Sequence, residues 1–143
     1  VGGGGLSSGI VVARDHMHKR AEIIGAEPQP GNDAARSLHS GQLVENEQEP
    51  LTIADGARTL SLGNLNWEIL RQGMADILEI PDPVTLAALR EYFALHLKVE
   101  PTGALALGAL LAHPERFAGK RVCCIVSGGN VDPLVYAQAL QEE

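Results

Sequence analysis

The sequence predicts an α/β fold: a mostly parallel sheet flanked by helices. Three observations carry this. Stretches of helical length and periodicity alternate with short apolar runs, and no internal repeat interrupts them. The 143 residues make up about one domain, and 45% of them are hydrophobic, enough to build a core. Charged residues account for only 20%, which argues against bulk disorder.

The elements follow in order. Val1 runs straight into Gly2–Gly5, which reads as the end of a strand whose start lies upstream, so the sequence reads as a segment of a larger protein. Leu6 to about Arg20 reads as a helix, with apolar Ile10, Val11, Ala13 and Met17 and with Lys19–Arg20 at the negative pole of its dipole. Ala21–Ala26 (AEIIGA) reads as a buried strand, and Asn32–His39 as a short helix stopped near Gly41. Gln42–Pro50 is polar and acidic, a surface loop. Thr52–Thr59 (TIADGART) holds an Asp-Gly turn. Asn64–Met74 reads as a helix bearing the only tryptophan, Trp67, and Asp76–Ile80 (DILEI) as a strand.

Asp82 then reads as a helix N-cap with Pro83 in the first turn. Leu86, Leu89, Phe93 and Leu97 recur at helical spacing and are expected in the core. Pro101 to about Leu111 is a helix rich in Ala and Gly. Arg121–Val126 (RVCCIV) reads as a strand covered on both faces, with Cys123 and Cys124 in the core. Asp132 and Pro133 start a last helix.

Composition excludes several classes. Eleven basic residues stand against 18 acidic ones, a formal charge of −7 with no basic patch, which argues against a nucleic-acid or anionic-membrane partner. The longest apolar runs, such as Val122–Val126, are too short to span a bilayer, and no signal-peptide pattern is present. Two adjacent cysteines cannot form a disulfide framework and fit a reducing, cytoplasmic setting. The five histidines show no zinc spacing, and no G-x-S-x-G elbow occurs.

Two glycine clusters carry the chemistry. Gly2–Gly5 followed by a helix lets the backbone approach a ligand, and its N–H groups can cradle a phosphate. The competing reading is a flexible or turn-forming glycine run. A dinucleotide fingerprint fails in every register, because Ser7 or Ser8 stands where its last glycine belongs, although Glu27 imitates the ribose-binding acid. A P-loop is absent. Ser127-Gly128-Gly129-Asn130 follows the RVCCIV run, where ligand sites of open α/β sheets lie, and reads equally as a plain turn.

Four segments in order, VGGGGL (Val1–Leu6), TIADG (Thr52–Gly56), VEPTGALAL (Val99–Leu107) and SGGNVD (Ser127–Asp132), together with IIGAEP (Ile23–Pro28), resemble the fold-type II pyridoxal-phosphate enzymes. The branch they resemble is that of the threonine/serine dehydratases and serine racemase. The resemblance implies that the chain is the C-terminal portion of that family's cofactor-binding large domain, with the N-terminal part and the small domain missing. It implies a phosphate held by Gly2, Gly3, Gly4, Gly5 and Leu6. It also implies a Ser127 hydroxyl at the pyridine nitrogen, which moderates the ring's electron sink in favour of β-elimination. Glu100 matches a family glutamate at the edge of the site, and reads equally as a helix-start acid. Thr59 follows the TIADG turn where relatives carry a hydroxyl near the substrate.

Members close to serine racemase add a divalent-cation site, which the resemblance carries onto Glu27, the Gly31 carbonyl and Asp33, a hard oxygen set suited to Mg²⁺ or Ca²⁺. The family's Schiff-base lysine lies on an upstream Ser-Phe-Lys-type motif. This chain has only Lys19, Lys98 and Lys120, none in that context, so no catalytic residue is assigned here. The implied parent is a cytoplasmic lyase that deaminates a small hydroxy amino acid to a keto acid. A serine racemase and a non-catalytic anion-binding or assembly module are the alternatives. The expected partners are a small amino-acid substrate, the N-terminal part of the same protein and further copies of it.

Overall fold

Helix α1 spans Gly5–His16, and β1, Ile24–Pro28, follows it. The computed structural model describes residues 1–141. The expected helix to Arg20 ends early because His18 turns left-handed at φ 52. The Lys19 N–H then reaches back to the Arg14 carbonyl and the His18 N–H to that of Asp15, which closes the helix and leaves Lys19 and Arg20 outside it. A short 3₁₀ turn, Gln29–Gly31, leads into α2, Asp33–Ser40, which stops at Gly41 with φ 73. After the long loop come a 3₁₀ turn at Asp55–Ala57, α3 at Asn64–Gly73 and β2 at Asp76–Ile80. The chain continues through α4 (Asp82–Ala94), α5 (Pro101–Ala112), the single turn α6 (Pro114–Phe117) and α7 (Pro133–Gln141).

The sheet among the described residues has two parallel strands, with Ile24 beside Asp76 and Pro28 beside Ile80. The period of two along β2 sends Ile77 to one face and Leu78 and Ile80 to the other. On the first face Ile77 meets Val11, Ala34, Ala35, Trp67, Leu70 and Met74 from α1, α2 and α3. On the second, Leu78 and Ile80 meet Ala54, Ala57, Leu105 and Ala109. The small residues of α5 explain its closeness to the sheet: a Cβ on Gly108 would lie 2.9 Å from Ile80 Cγ2. A third cluster joins α4, α5 and α7 through Ala88, Leu89, Tyr92, Val99, Ala104 and Ala139.

Four expectations need correction. The first strand is Ile24–Pro28, shifted toward its C-terminal end, so the strand includes buried Glu27, whose Oε1 accepts the Ala35 N–H at 2.7 Å. Asp82 lies one residue inside α4. Its carboxylate accepts from Thr52 Oγ1 (2.6 Å) and the Ile53 N–H (3.1 Å), so it ties down the TIADG loop in place of its own helix end. The buried side of α4 is Thr85, Ala88, Leu89 and Tyr92; Phe93 is 52% exposed, and Leu97 lies beyond the helix end. Leu89 of the expected stripe is thus in the core and Leu86 packs against it, whereas Phe93 and Leu97 lie outside it.

The fourth correction concerns Arg121–Val126, which is not a strand. Among the described residues, 121–127 make no backbone hydrogen bond, and Val122, Ile125 and Val126 are exposed. Cys123 is exposed and Cys124 half-buried, so neither belongs to a core cluster. The run has strand composition, but no neighbouring strand among the described residues offers it a ladder.

Candidate functional site: a glycine loop and a serine around one cavity

The glycine loop is anchored from below. Gly2 and Gly4 adopt left-handed backbone, at φ 55 and 86, which a side chain disfavours. Gly4 could not carry a Cβ without coming within 3.0 Å of Asn66, Leu62 and Leu70. The Gly3 carbonyl accepts from Asn66 Nδ2 at 2.7 Å and from the Gly63 N–H at 3.1 Å. Val1 N donates to the Ala26 carbonyl, which fixes the loop to β1. Helix α1 starts at Gly5, so the Gly5, Leu6 and Ser7 N–H groups have no intrahelical acceptor and stand at the positive end of its dipole. Nothing lies within 4 Å of where a Gly5 Cβ would stand, so the backbone there is open to a ligand.

That opening belongs to a cavity of about 1120 Å³, whose wall includes Gly3, Gly4, Gly5, Leu6, Glu100 and Ser127. The structure therefore brings the glycine loop and Ser127, about 120 positions apart, together around one space. Gly2 is the exception among the predicted phosphate-binding positions: it lies buried under the loop against the Gly56 carbonyl and is not on the wall. Lys19 and Lys120 are on the wall, and Lys120 Nζ pairs with Glu22 at 3.5 Å. The unpartnered N–H groups, the open space beside Gly5 and a serine on the same wall fit a phosphorylated heterocycle.

Three contributors have no local signature in the sequence. Asn66 braces Gly3, Asp82 braces Thr52 and Ile53, and Thr102 Oγ1 accepts the Gly56 N–H at 3.0 Å, which ties the TIADG turn to the start of α5. Each acts across a long stretch of chain, beyond the reach of spacing rules. Thr59 approaches Gly3 with its methyl group; its hydroxyl is buried without a partner among the described residues and is not on the cavity wall.

Glu27 and Asp33 lie almost fully buried at the end of β1 and the start of α2. Burial pushes the Glu27 carboxyl up to about 7, helped by the nearby charges of Asp33 and Glu79 and opposed by the Ala35 N–H. Burial likewise pushes Asp33 up to about 6, against the hydrogen bond from Asn46. Asp33 Oδ1 accepts from Asn46 Nδ2 at 2.8 Å, while Oδ2 is buried with no partner among the described residues. Among the described residues no cluster of three His, Cys, Asp or Glu side chains is present, so the carboxylates number two. The buried orphan oxygen, the two raised acids and the adjoining Gly31 backbone fit a hard cation that takes its remaining ligands from carbonyl and water oxygens.

The family model described as pyridoxal-phosphate dependent enzyme matches residues 1–128. The chain belongs to this family. It is similar to the serine racemase of Schizosaccharomyces pombe, 41% identical over 143 residues, and to an L-threo-3-hydroxyaspartate ammonia-lyase of Pseudomonas sp, 42% identical; each match covers 99% of this chain and 44% of the relative. Among solved structures it resembles a threonine deaminase from T.th., with a TM-score of 0.84, 40% identity, and coverage of 92% of this chain and 48% of that one. The chain thus spans less than half the length of the relatives it matches. The α/β fold with a small parallel sheet is that of these fold-type II enzymes, within the dehydratase and racemase branch. No described helix is long and apolar enough to cross a membrane.

Proposed function

We propose that this chain is the C-terminal portion of the cofactor-binding large domain of a pyridoxal-phosphate lyase that removes water and ammonia from a small hydroxy amino acid. The observation that carries the reading is one cavity with the open amides of Gly5, Leu6 and Ser7 and with Ser127 on its wall. Gly5, Leu6 and Ser7 would hold the phosphate through backbone N–H groups at the α1 dipole. Gly2 supports the turn from beneath. Ser127 would offer its hydroxyl to the pyridine nitrogen. When bound, the cofactor supplies an electron sink for charge developing on the substrate's α-carbon. The chain's own residues bind and orient it.

Glu27, the Gly31 carbonyl and Asp33 would hold Mg²⁺ or Ca²⁺, whose charge would offset the burial that raises both carboxyls. No lysine of the chain lies in the family's Ser-Phe-Lys-type context, so the proton-transfer lysine belongs to the N-terminal part of the protein and the chain alone has no dehydratase activity. Serine racemisation is the second reading, favoured by the likeness to serine racemases. The test is a titration of the purified chain with pyridoxal 5′-phosphate followed by absorbance, with a keto-acid assay on serine and threonine. Saturable binding without keto acid is expected. Absence of binding, or appreciable turnover, overturns the reading.

A further inference from the structure

We propose that Glu100 is a positioning residue that sets where Ser127 stands in the cavity. The segment leading to Ser127 is thinly held: among the described residues, 121–127 make no backbone–backbone hydrogen bond, Cys124 Sγ donates to the Ala106 carbonyl at 3.7 Å, and Ser127 is exposed. The first backbone anchors come immediately after it, and both run to Glu100. The Glu100 N–H donates to the Gly128 carbonyl at 3.1 Å, and Glu100 Oε2 accepts the Asn130 N–H at 2.8 Å. The second bond is charge-assisted, the stronger kind.

Glycines make this clamp possible. A Cβ on Gly128 would lie 2.6 Å from Glu100 Oε1, one on Gly129 2.5 Å from the Lys98 carbonyl, and one on Gly103 2.7 Å from the Gly128 carbonyl. Three glycines are thus needed for one close approach, that of the Ser127–Asn130 loop onto residues 98–103. Pro101 begins α5 directly behind Glu100, and α5 is packed on the sheet through Leu105 and Ala109, so the clamp references the loop to the core. Glu100 also lines the cavity, so direct contact of its charge with a bound molecule is the rival role. The inference builds on Ser127 as the proposed ring contact.

The two roles separate in Glu100→Gln, which keeps an acceptor oxygen for the Asn130 N–H but loses the charge. In the intact protein, hydrogen exchange of the Asn130 amide and the affinity and absorption maximum of added pyridoxal 5′-phosphate are measured for Glu100→Gln, Glu100→Ala, Gly128→Ala, Ser127→Ala and Glu100→Ala/Ser127→Ala. Expected is exchange at Asn130 faster by about tenfold in Glu100→Ala and Gly128→Ala, with Glu100→Gln within about threefold of the parent. The double variant binds the cofactor no more weakly than Ser127→Ala alone. Parent-like exchange in Glu100→Ala, or an affinity loss in Glu100→Gln equal to that in Glu100→Ala, overturns the proposal. Gly128→Ala decides the matter if Glu100→Ala does not fold. An unchanged affinity and absorption maximum in Ser127→Ala removes the ring-contact reading alone, because Asn130 exchange still reports the clamp.

Discussion

Replacing Gly4 by alanine separates the backbone demand of the glycine loop from its proposed ligand. At φ 86 an L-residue costs about 1–2 kcal/mol. The new methyl would also stand 3.0 Å from Asn66 Cβ, Leu62 Cδ2 and Leu70 Cδ1. Leu62 and Leu70 are buried, so relief requires movement of the core beneath α1, at about 1–3 kcal/mol. The expected loss is about 2–5 kcal/mol, read as a lowered urea midpoint at unchanged slope. Gly5→Ala is the control. Gly5 has no positive φ and no neighbour within 4 Å of its Cβ position, so alanine in the first turn of α1 leaves stability unchanged or raises it by about 0.5–1 kcal/mol. Its cofactor affinity falls, because the methyl takes the space the phosphate would use. A Gly4→Ala variant within about 0.5 kcal/mol of the parent refutes the argument, as does a Gly5→Ala variant that is the less stable of the two.

Three further outcomes are expected. Glu27 and Asp33 hold their protons more tightly folded, at about 7 and 6, than at their ordinary values of 4.5 and 3.8, so without a cation stability is fully present at low pH and falls as pH rises from about 4 to 7. Melting curves across that range test it, and millimolar Mg²⁺ should raise the midpoint at pH 8 and not at pH 5; a flat profile contradicts the burial argument. Leu89→Ala, at a fully buried position, should cost about 2–5 kcal/mol, whereas Phe93→Ala, at a half-exposed one, should cost under about 1 kcal/mol; equal losses by denaturant titration would return Phe93 to the core face. Asp82→Ala should cost about 1–3 kcal/mol, because Thr52 Oγ1 and the Ile53 N–H lose their acceptor; limited proteolysis should then cut the 52–59 loop faster, and an unchanged cleavage rate would count against that anchor.

What is legible in the sequence is local. Helices α2, α3 and α5 and strand β2 stand within a residue or two of their expected bounds, because periodicity, prolines and a terminal glycine act over one or two turns. Arg121–Val126 misleads because a strand is defined by its neighbour, and composition does not report whether a neighbour is present. Phe93 and Leu97 mislead because α5, with its small residues, decides which side of α4 is covered. At the site, the motifs carry the glycine loop and Ser127 to one cavity. They do not carry Asn66, Asp82 or the Glu100 clamp, whose partners lie 28 to 63 positions away along the chain.

The bare run from Val122 to Val126 also bears on behaviour in solution. Five consecutive apolar residues, two of them cysteines, carry no proline and no charge, and among the described residues their amides and carbonyls are unspoken for. Such a stretch is a template for intermolecular β-pairing. Its flanks hold Lys120 and Arg121 at one end and glycines at the other, so electrostatic gatekeeping is one-sided. Colloidal stability of the isolated polypeptide is therefore governed by how quickly this edge finds a cognate strand before it finds a copy of itself.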